Sequence, residues 1–408
     1  MIATTTSGEK AERVGPAADA AMPTEFSLVA GGPLFRLLCR LKLADSALGH
    51  VNRRVLVALL LVWLPLFLLT AGEGNAWSGV KVAFLRDGSL HLRLLLAVPF
   101  MIAAERVIHE WMRPLARRFI ERDIIIGSER ARFDAAVAAA HRLRDSVYPE
   151  LIIALAVLGI GTTINWHRAV VLPDSTWFWA MQQGAKRITF AGWWAGLISL
   201  PLFQFILFRW YFRLFIWAQF LWRVSRLQLE LVPTHPDRAG GLGFIGSATE
   251  GFWVMMIAHG TIVAGVMVHG MLFGGMTLPQ YKLDIYALWA LTLLWIVVPL
   301  LTFAPALHRA KRAGKNAYGN LSQRYASGFE QKWMSGAMRE EQLLGTSDIQ
   351  SLADLRNGYD VVRTMRLLPI GRETVLRLLI FPLIPVAPLA LTLVPLDRLM
   401  KELISALF

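Results

Sequence analysis

Apolar residues fall into long blocks along the chain, separated by polar stretches rich in arginine, and the block lengths set the architecture. A helix crossing hydrocarbon needs about 20 mostly apolar residues. Seven stretches approach that length: 55–71, 90–108, 151–164, 190–208, 252–273, 285–307 and 375–396. The pattern predicts an all-α fold, a polytopic integral membrane helical bundle of about seven transmembrane helices with long amphipathic cytosolic extensions. The second stretch carries Arg93, Glu105 and Arg106 near its ends, where long side chains reach back to the headgroups. The fourth runs on without a breaker to Leu227, so its helix should project beyond the bilayer. The seventh contains Pro382, Pro385 and Pro388, each lacking an amide proton and each clashing with the carbonyl four residues back.

The polar stretches have patterns of their own. Residues 1–30, rich in Ala, Thr, Ser and Pro, read as a disordered tail. Within 31–54, the segment LFRLLCRLKL alternates leucines with Arg36, Arg40 and Lys42, as an interfacial amphipathic helix does. Spans one and two occupy 55–109. Over 110–148, Phe119, Ile126, Phe133, Ala140 and Val147 recur every seven residues, a stripe suited to another helix or another subunit, with Gly127-Ser128 as a possible hairpin point. Spans three to six occupy 149–307, and Trp166, Trp177 and Trp179 suggest an outer aromatic layer. Residues 308–374 form a cytosolic helical region with a helix starting near Asp348 and ended by Asn357-Gly358. The proline-broken seventh span, 375–396, precedes an interfacial helix at 397–408.

Composition sharpens this picture. Of the 408 residues, 55% are hydrophobic and 15 are tryptophan, and the mean hydropathy is +0.47, all beyond the habit of a soluble domain. A lone cysteine, Cys39, rules out an intrachain disulfide and a multi-cysteine metal site. The net charge of +13 would raise nucleic acid as a partner in a soluble chain. Here the arginines flank apolar blocks, so the bilayer and its anionic lipids account for them and no nucleic acid is implied. The basic clusters before span one and after spans two, four and six fall on one side if seven spans start from a cytoplasmic N-terminus. A bacterial-type inner or plasma membrane fits, and no cleavable signal is visible.

Candidate chemistry centres on residues 235–275. His259 and His269 lie in the fifth span, where an unpartnered polar group is costly. Ten residues apart, they are separated by about 15 Å along a helix and about 280° around it, so they cannot share one metal. They suit a protonatable relay, satisfied core positions, or axial ligands of two haems; no cofactor is otherwise predicted. Gly265, with Gly260, Gly270 and Gly274, makes a small-residue surface for close helix approach or for exposed backbone along a pathway. His235, Asp237, Arg238, Gly240 and Gly241 form a polar turn whose amides could bind an anion; the same turn works as a structural hinge. Asp348, Gln350 and Asp354 lack calcium-loop spacing and read as a helix cap with a solvated face, or as part of a gate.

The function expected is a membrane channel or transporter for an ion or small solute, assembled as a homo-oligomer. That pathway would run near spans five and seven, with Pro382, Pro385 and Pro388 opening carbonyls along it. The alternatives are a haem-containing or other redox component and an oligomeric sensor or scaffold. No HExxH or GxSxG stretch and no transmembrane acidic pair is apparent, which argues against an intramembrane hydrolase.

Overall fold

The computed structural model describes residues 25–45, 47–161, 163, 176–182, 185–335 and 347–393. Expectations for 1–24, for Trp166 and for 394–408 lie outside them. The described chain is mostly helical. In order come α1 (Pro33–Arg40), α2 (Val51–Gly72), α3 (Val98–Met112, continuing from Gly88–His91 and a π-helical Leu92–Ala97), α4 (Leu115–Glu121), α5 (Glu129–Asp145) and α6 (Val147–Ala156). Then follow strands β1 (Trp179–Gln182) and β2 (Ala185–Ile188), α7 (Phe190–Val224), α8 (Gly243–Glu250), α9 (Trp253–Phe273), α10 (Leu278–Trp333), α11 (Ser347–Arg363) and α12 (Arg372–Ile380), which leads into short turns through Leu393.

Among the described residues, four helices are long and apolar enough to cross a membrane: α2, α7, α9 and α10. Their outward surfaces are apolar. Leu56, Leu60 and Leu68 on α2 and Leu294 and Leu301 on α10 all stand exposed, a surface that water would not tolerate at this extent and that lipid satisfies. The chain is therefore a membrane-embedded, multi-span helical bundle. Seven spans were expected; α6 is shorter, the second stretch is charged, and the seventh is split into turns, so four is the count that length and composition support.

Several local expectations change. The sixth apolar stretch does not end at its basic cluster: α10 runs 56 residues as one helix, because a run of Arg and Lys stops a span without breaking a helix. Asn357-Gly358 neither ends nor turns α11, which continues to Arg363 with Gly358 lying beside the Tyr318 ring. A two-stranded antiparallel sheet, Trp179 opposite Ile188, interrupts the all-helical pattern. Trp177 and Trp179 are buried instead of forming an interfacial layer, and Trp177 Nε1 donates to Asp87 at 3.0 Å. The heptad stripe folds into a hairpin at Gly127, whose φ of +56° suits the turn. Phe119 and Phe133 then pack on each other and on Phe244 and Phe220 of this same chain, while Ile126 and Val147 remain exposed.

Residues 26–29, expected in a tail, are buried. Phe26 stacks on Phe220 at 4.3 Å, Ser27 Oγ lies 2.8 Å from His109 Nδ1, and Arg144 donates to the Ser27 carbonyl. The strap ends at Gly32, whose amide meets Asp145 at 3.0 Å. These contacts, with Arg122 to the Gly241 carbonyl and Lys311 to the Met365 carbonyl, gather the basic segments at one end of the bundle. The opposite end joins Glu73 to the amide of Phe190 and Asp87 to Trp177.

Between the helices at the basic end lies a buried ionic cluster. Glu105 of α3 receives Arg54 of α2, Arg209 of α7 at 3.2 Å and Arg213 at 2.8 Å. Arg209 also binds Glu150 of α6 at 2.8 Å, and the second Glu150 oxygen takes the Leu34 amide of α1 at 2.9 Å. All five charged side chains are buried. Glu105 therefore does not snorkel to the headgroups but is enclosed by Arg54, Arg209 and Arg213. Removing one partner of such a set leaves an uncompensated buried charge. We expect Glu105→Ala to cost about 3–5 kcal/mol, read as a lowered unfolding midpoint in detergent. Arg113→Ala, which breaks only the exposed pair with Glu25, should cost under about 1 kcal/mol; equal losses would show the cluster to be well hydrated.

Candidate functional site

The turn between α7 and α8 is organised by one carboxylate. Asp237 Oδ1 accepts from the amides of Ala239 at 2.8 Å and Gly241 at 3.1 Å, and Oδ2 from Gly243 at 2.8 Å. His235 Nδ1 stands 2.9 Å away. The amides that the sequence offered to an outside anion are thus occupied by the chain's own. Gly240 and Gly241 supply φ of +64° and +97°, and Arg238 accepts +53°, a conformation that L residues rarely adopt. The Arg238 carbonyl receives the amide of Arg366 at 2.7 Å, and Arg366 Nη2 donates to the Asp237 carbonyl at 2.6 Å. Burial by itself would raise the Asp237 carboxyl. The amides of Ala239, Gly243 and Gly241, together with His235, outweigh it and hold the group below the ordinary aspartate range.

Above this turn opens a cavity of about 1120 Å³. Its lining includes Arg118, Arg122, Arg238, Arg366 and Arg372, with Asp237 and Glu373 as its carboxylates. The walls are held rigidly. A side chain at Gly246 of α8 would meet the Pro369 carbonyl at 2.3 Å, so α8 and the 369–371 segment touch backbone to backbone. Arg122 lies over the Phe244 ring at 5.1 Å while donating to Gly241.

The intramembrane candidates are placed differently. His259 is buried, its Nδ1 at the Met255 carbonyl and its Nε2 3.1 Å from the Tyr211 hydroxyl. Its ring thus sits between α9 and α7 with both nitrogens in hydrogen bonds. His269 sits toward the other end, its Nδ1 3.8 Å from Asp87. The glycines of α9 serve packing: a Cβ at Gly260 would lie 1.9 Å from the Pro382 carbonyl, one at Gly265 3.3 Å from Ser89 backbone, and one at Gly270 1.7 Å from the Tyr281 hydroxyl. Pro382 is buried there, Pro385 is half-buried and Pro388 is exposed. Asp348 is a hairpin clasp, bound by Lys332 at 2.9 Å and by Trp333 Nε1 at 3.1 Å. Gln350 donates to Asp354 one turn on, at 3.0 Å. The structure thus joins His235, Asp237, Arg238, Gly240 and Gly241 in one place and leaves Asp348, Gln350 and Asp354 in another.

Sequence reasoning singled out Arg238 but missed Arg118, Arg122, Arg366 and Arg372, which come from segments far apart in the chain. It also missed Glu105 and Glu150 as a buried acidic pair. A usable signal was present: Arg209 and Arg213 stand four apart on one helical face, opposite in sign to a glutamate inside the second apolar stretch and another just before the third. No group of three or more histidine, cysteine or acidic residues suited to a metal occurs among the described residues. The chain matches no known family model, no curated protein and no solved structure.

Because the Asp237 carboxyl is depressed in the fold, its stabilisation is complete above the ordinary value of 3.8 and is lost as pH falls through the lower folded value. Asp237→Asn should cost about 1.5–3 kcal/mol at neutral pH, the scale of hydrogen bonds to a charged group. The gap between variant and wild type should close below the folded pKa. Chemical unfolding followed from pH 7 downward checks this, and a gap independent of pH would assign the cost to packing alone.

Proposed function

We propose that the chain is a channel or transporter for an ion or small solute, set in the membrane with its basic end toward the cytosol. The observation that supports this reading is a continuity of chain. Residues 370–374 wall the arginine cavity, α12 starts at Arg372, and the same segment reaches Pro382, whose carbonyl rests on Gly260 of α9. Whatever occupies the cavity touches the segment that seals against the most buried of the four long helices.

A regular helix would make a poor moving part in that position. The prolines reduce the stretch after Ile380 to short turns, Phe381–Leu383, Ala387–Ala390 and Leu391–Leu393, and helices broken in this way line substrate sites in transporters. On this reading the cavity is the inner mouth, the Gly260–Pro382 contact is a closed gate, and the pathway follows α9 past His259. A sensor would share the cavity, since α11 ends just before Arg366, but it requires binding without flux.

Reconstituted vesicles tested with a panel of ions and small solutes should show flux dependent on the protein. An interior proline costs a helix about 3 kcal/mol, so Pro385→Ala, by favouring a straighter segment, should change that flux at least about tenfold. Absence of flux across the panel from correctly folded protein would refute the transport reading.

A further inference from the structure

The arginine cavity holds positive charge that the chain does not neutralise. Its two carboxylates are both engaged elsewhere. Asp237 is wrapped by three amides and His235, and Glu373 lies on the solvent side with Arg377 at 4.0 Å. The arginines are steered by carbonyls: Arg122 by Gly241 at 3.0 Å and Arg366 by Asp237 at 2.6 Å. A carbonyl orients a guanidinium without cancelling its charge. Arg366 Nε is buried with no hydrogen-bond partner. Among the described residues, none of the five lining arginines forms an ion pair with a carboxylate.

Other donors point the same way. Gly371, the residue before α12, offers no side chain to cap the helix, and Arg372, Glu373 and Thr374 of its first turn line the cavity. Free amides at a helix start favour an anion. The Ser247 hydroxyl is also in the lining. Planar guanidinium forks recognise tetrahedral and carboxylate oxygens in pairs. A volume of about 1120 Å³ is far more than a halide or a bare carboxylate fills and falls near the upper range of small-molecule pockets.

We propose that this cavity binds a phosphate-bearing anion, either a soluble phosphorylated small molecule or the headgroup of an anionic lipid. The inference builds on the transport reading by naming the class of solute that the inner mouth accepts. Binding is measured without flux, however, so the two can fail separately.

The test uses the purified full chain in neutral detergent at fixed ionic strength. One arm titrates pyrophosphate and glycerol phosphate by calorimetry; the other titrates short-chain phosphatidylglycerol against phosphatidylcholine. Saturable binding is expected in at least one arm. The double substitution Arg118→Gln with Arg372→Gln, at a half-buried and an exposed position, should weaken it at least about tenfold, the loss of one charge-assisted hydrogen bond. Arg309→Gln, a basic residue outside the cavity, should leave it unchanged. Binding of the soluble phosphates alone assigns a soluble ligand, and binding of phosphatidylglycerol alone assigns a lipid. No binding in either arm, or binding indifferent to the double substitution, overturns the proposal. Binding accompanied by no flux in vesicles would keep the site and discard the transport reading.

Discussion

Three guanidiniums and two carboxylates, closed off from solvent at the basic end of the bundle, decide how α2, α3, α6 and α7 can sit together. Of these, α2 and α7 are apolar enough to slide or rotate in lipid, where the contacts between leucines and those with acyl chains differ little. Ionic partners remove that freedom. Arg54, Glu105, Glu150, Arg209 and Arg213 satisfy one another in a single arrangement, and a shift by one residue on any helix would leave a buried charge unmatched. Such a cluster adds little net stability over an apolar one of equal volume. Its contribution is to register, and the strap that ends at Gly32, together with the start of α1, is drawn into the same arrangement through Asp145 and Glu150.

Around that fixed block, α9 is packed by absence of side chain. Gly260, Gly265 and Gly270 admit three different neighbours at backbone distance: the Pro382 carbonyl, the Ser89 backbone and the Tyr281 hydroxyl. The two devices are complementary. Charge fixes one half of the bundle through strong directional bonds, while the other half closes through shallow, shape-dependent contacts that can part at lower cost. The arginine cavity lies where the 235–243 turn, α8 and the start of α12 meet.

The membrane class, the extents of α7 and α9, and the broken character of the last apolar stretch were legible in the sequence, because hydrocarbon thickness and the missing proline amide act locally. The fate of ionisable groups was not. Glu105 near the end of an apolar stretch reads equally as a snorkelling side chain or as a buried partner, and only the approach of Arg54 and Arg213 decides between them. Asp237 shows the same limit from the other side: glycine amides that look ready for a foreign anion are filled by a carboxylate four and six residues upstream. The stripe through Phe119 and Phe133 announced a packed face, but not that its partners, Phe220 and Phe244, belong to the same chain. Asn357-Gly358 carries a turn signal that the packing of α11 along α10 overrides.

Synthesis proceeds from the amino end, and that ordering meets the ionic cluster in steps. Arg54 and Glu105 are 51 residues apart and can neutralise each other once the first two apolar stretches have emerged. Glu150 must wait a further 59 residues for Arg209, and the Leu34 amide cannot find its acceptor until 116 residues after its own translation. Glu150 therefore stays unmatched by Arg209 until α7 has emerged, and the strap can lock before α8 to α12 are made. Docking of that strap marks completion of the charged half, ahead of the contacts that α9 makes with Pro382.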